Sequence, residues 1–77
     1  MKYVEVESGG RSFRLPASYP HLLEIRIDPA DWHRLNQFAE DDPTYRIVGH
    51  DDPEDGLMTV RLACGSERVA EQLADAW

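Results

Sequence analysis

Five stretches of this chain alternate apolar and polar residues with the period of two that suits a half-buried strand, and two more repeat with a helical period. From Tyr3 to Glu7, Val4 and Val6 share one face while Tyr3, Glu5 and Glu7 share the other. Arg11 to Leu15 alternates in the same way and puts Phe13 and Leu15 together. Gly9-Gly10 lies between them, a pair able to take the positive φ angles of a two-residue hairpin turn. Pro16 stops the second strand, because proline has no N–H for a ladder.

An irregular connection over 17–21 leads to a third strand, Leu22 to Ile27. Here Leu23, Ile25 and Ile27 share a face, with Leu22, Glu24 and Arg26 opposite. Asp28-Pro29-Ala30-Asp31 then opens a helix. Asp28 caps its free N–H groups, Pro29 fits the first helical position, and Asp31 favours the positive end of the dipole. Trp32, Leu35, Phe38 and Ala39 follow at helical spacing, and the helix ends at Asp41-Asp42, ahead of Pro43. Tyr45–Val48 and Leu57–Cys64 are predicted as two further strands, joined by an acidic connection over 49–56. In the last strand the face of Met58, Val60, Leu62 and Cys64 turns to the core, with Leu57, Thr59, Arg61 and Ala63 opposite. Ser66 caps a final helix with Glu67 in its first turn and Val69, Leu73, Ala76 and Trp77 as its apolar stripe.

The predicted order is β-β-β-α-β-β-α, an α+β fold. Because the strands alternate and each helix has one apolar stripe, the expected architecture is a two-layer sandwich, a mainly antiparallel sheet with both helices on one face. From Leu22 onward the order is most of a split βαβ arrangement of ferredoxin-like type. The expected core is Val6, Phe13, Leu23, Ile25, Ile27, Trp32, Leu35, Phe38, Val60, Leu62, Val69 and Leu73.

Size and charge narrow the picture. With 77 residues, the chain forms a single small domain over 1–77. A 42 % hydrophobic content with 30 % charged residues is that of a globular chain, not a disordered one. Cys64 is the only cysteine, which fits a reducing compartment. No long apolar run follows Lys2 and none is long enough to span a bilayer, so no membrane association is expected and the cytoplasm is the expected location. The charge is lopsided. Acids and bases balance in residues 1–39, so the whole net charge of −7 sits in residues 40–77. Seven of its acids fall in two runs, Glu40-Asp41-Asp42 and Asp51-Asp52-Pro53-Glu54-Asp55. Direct nucleic-acid binding is not expected, since phosphate contacts need clustered Lys and Arg.

Each catalytic or metal motif in turn falls short. Read as an EF-hand loop from Asp51, the third position is Pro53 and the twelfth Leu62, where oxygen ligands are required. His21, His33 and His50 match no zinc spacing, and one cysteine cannot complete a site. Cys64 precedes a helix N-terminus, where a thiol can be activated, but it is in phase with an apolar face and behaves as a small core residue. Ser66 lacks the glycines of a nucleophile elbow, and Gly9-Gly10 lacks the length and helix of a phosphate loop. Trp32 and Trp77 are assigned to the core; left exposed, Trp77 would make an interface anchor. No cofactor and no catalytic residues are expected.

The functional expectation is a non-enzymatic protein-binding module whose acidic surface (Glu40, Asp41, Asp42, Asp51, Asp52, Glu54 and Asp55) meets a basic protein partner, speeds the encounter and blocks the anion that normally docks there. Small acidic inhibitors that mimic nucleic acid, phage anti-defence and immunity proteins among them, act in this way. This chain resembles them in size and charge. The alternative is a small-ligand sensor or regulatory domain on a ferredoxin-like scaffold.

Overall fold

A computed structural model describes residues 2–77. Strand β1 (Tyr3–Ser8) and β2 (Arg11–Pro16) form a hairpin, followed by β3 (His21–Ile27), a 3₁₀ turn (Pro29–Asp31), α1 (Trp32–Asp41), β4 (Tyr45–His50), β5 (Met58–Cys64) and α2 (Glu67–Ala76). The fold is α+β in the order βββαββα, with five antiparallel strands and two helices.

The strands make two sheets rather than the one expected, β1-β2 alone and β3-β5-β4. The reason lies at Pro16. It ends the β2 ladder, and a turn closed by Tyr19 N–H to the Pro16 carbonyl (2.8 Å) redirects the chain before β3. In the larger sheet β5 is central and antiparallel to both neighbours, so β3 and β4 run parallel to each other with β5 between.

Pairing fixes the two faces. Ile25 lies opposite Val60, Ile27 opposite Met58, and Tyr45 opposite Cys64, so these side chains point the same way. They join Leu35 of α1 and Leu73 of α2 in one core cluster, which puts both helices on the Met58 face. On the other face Ala63 is fully buried, Arg61 is 5 % exposed, and the Arg61 guanidinium lies 5.3 Å from the centre of the Phe13 ring. Leu15, beside Phe13 in phase on β2, is 1 % exposed. The hairpin therefore covers the second face as a further layer, a departure from the two-layer expectation.

Burial differs from the expected core in a consistent way. Val6, Phe13, Leu23, Trp32 and Val69 are half-buried, and Phe38 is 54 % exposed. Leu15, Tyr45, Met58 and Cys64 are buried in addition to the rest. Phe38 sits in the last turn of α1 and meets the Trp77 ring edge-on at 6.2 Å.

Both expected capping bonds form, although Asp28 caps the 3₁₀ turn and α1 itself starts from Asp31, whose side chain makes no cap bond. Asp28 accepts a hydrogen bond from Ala30 N–H at 2.9 Å, and Ser66 Oγ accepts one from Val69 N–H at 3.2 Å. Gly9 and Gly10 take φ of 59° and 77°, the signs of a type I′ turn.

Candidate functional site

Strand β4 continues two residues past Val48, and this sets the direction of the first acidic run. Ile47 pairs with Leu62 but Gly49 pairs with Arg61, so Val48 is an extra residue, a β-bulge. The bulge reverses the alternation beyond it. His50 consequently lies on the helix side, its ring 4.8 Å from that of Trp32. Asp51 turns to the opposite face and accepts a hydrogen bond from Arg61 at 2.6 Å. That bond, reinforced by the charges of Arg61 and nearby Arg11 and opposed by some desolvation, lowers the Asp51 pKa. Asp51, its side chain 53 % exposed, is thus the counter-charge for a buried guanidinium whose Nε has no hydrogen-bond partner.

Asp52, Glu54 and Asp55 are exposed. Glu54 and Leu57 exchange backbone hydrogen bonds of 2.7 and 3.0 Å around Asp55 and Gly56, whose φ values are 55° and 80°. This second type I′ turn lies within the acidic connection over 49–56. Its Asp-Gly pair is a strong hairpin signal. Three carboxylates therefore stand free at this tip, not four.

The second run lies at the other end of β4. Register places Tyr45 opposite Cys64 and His50 opposite Val60, so the runs are separated by a strand length, on the order of 17–20 Å. They do not form one patch. Glu40 and Asp41 are exposed in the last turn of α1. Asp42 accepts hydrogen bonds from the backbone N–H and the hydroxyl of Thr44, which holds the turn into β4.

Beside Asp41 and Asp42 opens a groove of about 620 Å³ between the C-terminal ends of the two helices. Phe38, Tyr45, Leu73 and Trp77 supply its apolar lining, and Arg34 lines it as well. The Arg34 guanidinium lies 4.8 Å from the centre of the Trp77 ring. Its 3.5 Å pair with Asp31 is exposed on both sides and adds little stability. Tyr45 is 3 % exposed, and burial, with Asp42 and Cys64 nearby, raises its phenol pKa. Sequence pattern counts Phe38 among the core residues and misses this groove. Two aromatic residues near the ends of two helices, next to an acidic run, are the signal that could have located it.

Among the described residues, no group of three or more His, Cys, Asp or Glu side chains could hold a metal ion. Cys64 is fully buried, and desolvation pushes its thiol pKa up to about 11, the reverse of activation. Among the described residues, no helix is long and apolar enough to cross a membrane. Comparison with protein-family models, with curated proteins and with solved structures gives no match, so the chemistry of this site has to be read from its geometry.

Proposed function

We propose that this chain is a non-enzymatic protein-binding module that engages a basic partner at the α1–α2 end of the molecule. One observation carries the reading: Asp41 and Asp42, of the acidic run that begins at Glu40, border an open groove that exposes Phe38. An apolar anchor of the partner fills the groove, and a Lys or Arg beside that anchor meets Asp41. Such a centre of apolar contact with a charged rim is the usual anatomy of a protein interface. Asp52, Glu54 and Asp55 act at longer range, adding to the negative field that draws in a basic partner. If the partner's basic surface normally holds nucleic acid, the module acts as its inhibitor by occupying that surface. The scaffold under this site, β3-α1-β4-β5-α2, is read as most of a split βαβ of ferredoxin-like type.

A specific observation also favours a second reading, a small-ligand sensor. The groove volume is within the range of small-molecule sites. Titration of the isotope-labelled protein with a basic amphipathic helical peptide of Leu and Lys separates the two. Chemical-shift changes should centre on Phe38, Asp41 and Trp77, weaken steeply with added salt, and shrink in Glu40→Gln/Asp41→Asn and in Phe38→Ala. Changes located elsewhere, or binding indifferent to both variants, would overturn the protein-binding reading.

A further inference from the structure

Strand β3 forms an edge of the three-stranded sheet, and among the described residues no strand pairs with its outer side. Exposed edges are templates for pairing, and proteins usually blunt them with a bulge, a proline or charges that repel. The opposite edge, β4, carries the Val48 bulge and Gly49. Strand β2 ends on Pro16. Strand β1 cannot meet its own copy about Glu5 or Val6 without placing one glutamate opposite another. By contrast, β3 holds neither glycine nor proline, and it pairs with β5 over seven residues without a register shift.

Its sequence is also self-complementary. Antiparallel pairing of two β3 strands about Ile25 sets Glu24 opposite Arg26 of the second copy, and Arg26 opposite its Glu24. The same register sets Leu23 opposite Ile27. Each pair lies on one face, because Leu23, Ile25 and Ile27 point to the helices while Glu24 and Arg26 point away. Centring the pairing on Glu24 or on Arg26 instead puts like charges opposite each other, so the register about Ile25 is selected against its same-face neighbours. Glu24 and Arg26 are both exposed, and Leu23 is half-exposed. The Ser8 hydroxyl donates to one Glu24 oxygen at 3.0 Å, which leaves the other oxygen for Arg26.

We propose that two copies of this chain associate through their β3 edges, antiparallel about Ile25, to make one continuous six-stranded sheet with all four helices on one side. This two-fold contact is isologous, so both ion pairs form or fail together. It lies on a different surface from the α1–α2 groove and does not depend on it.

Sedimentation over a concentration series at about 0.15 M ionic strength, where long-range repulsion between the acidic copies is largely screened, tests the proposal. The wild-type chain should form dimers. Arg26→Glu should weaken them about tenfold, since two pairs become repulsive at once, and Glu24→Arg/Arg26→Glu should restore them. Arg26→Ala, with a loss of about threefold, gives the same test should the charge reversal fail to fold, as judged by circular dichroism. A chain that stays monomeric, a dimer indifferent to the Arg26 variants, or a folded double swap that does not recover would each overturn the proposal.

Discussion

Leu15→Ala tests whether the hairpin is a true layer of this fold. Leu15 is the one hairpin residue that is almost completely buried, with 1 % of its surface exposed, and it stands apart from the cluster under the helices. Burying a leucine contributes roughly 1.5–3 kcal/mol, and truncation adds a term for the cavity left behind. A two-stranded layer can settle into part of that space, so the expected loss is about 2–3 kcal/mol. A domain of this size has a total stability on the order of 4–12 kcal/mol, so the loss should be plain in urea unfolding. Ser12→Ala, on the exposed face of the same strand, should stay within about 0.5 kcal/mol. Hydrogen exchange adds a spatial readout. Amides paired between β1 and β2 should lose protection in Leu15→Ala, while those of β3 and β5 keep theirs up to global unfolding. A loss below about 0.5 kcal/mol, or a uniform fall in protection, would mean that the hairpin is not a separately attached layer.

Three other outcomes follow from the same geometry. Asp28→Ala removes the bond to Ala30 N–H and should cost about 1 kcal/mol in denaturant unfolding, as loss of an N-cap does; no change would deny the cap a role. Asp51 has its folded pKa lowered below the ordinary 3.8. Its stabilising contribution is therefore fully present above that value and lost as pH falls through the lower folded value, and Asp51→Asn should flatten the acid limb of the stability profile there. Cys64, with its thiol raised to about 11, should resist a thiol-specific reagent at pH 8 until the chain unfolds; fast labelling of the native protein would contradict its burial.

Local signals were the legible part of this sequence. Gly9-Gly10 marked a hairpin because few residues tolerate positive φ at two successive positions, and Asp28 and Ser66 sat where free N–H groups need acceptors. Alternation in β5 identified the helix-covered face. The placement of the hairpin was not legible. Thr59, Arg61 and Ala63 suggest an outer face, yet a buried Arg61 is tolerated because Asp51 and the Phe13 ring meet it from elements distant in sequence. The two acidic runs lie where the pattern puts them, in the connection between the last two strands and at the end of the first helix. Which carboxylates are free depended on contacts that periodicity does not encode: Asp51 with Arg61, and Asp42 with Thr44. Phe38 shows the limit of a helical stripe. Periodicity tells which side of α1 a residue occupies, but not whether another element covers it there.

The bulge at Val48 gives β4 one residue more than its ladder with β5 needs. Substituting Val48, itself 41 % exposed, should change little, and deleting it would restore simple alternation while leaving Gly49 opposite Arg61 and His50 opposite Val60. His50 would stay beside Trp32 and Asp51 beside Arg61, so the buried guanidinium would keep its counter-charge. Deleting Gly49 as well would set His50 opposite Arg61 and turn Asp51 to the helix side, so the strand can spare one residue at this point and not two.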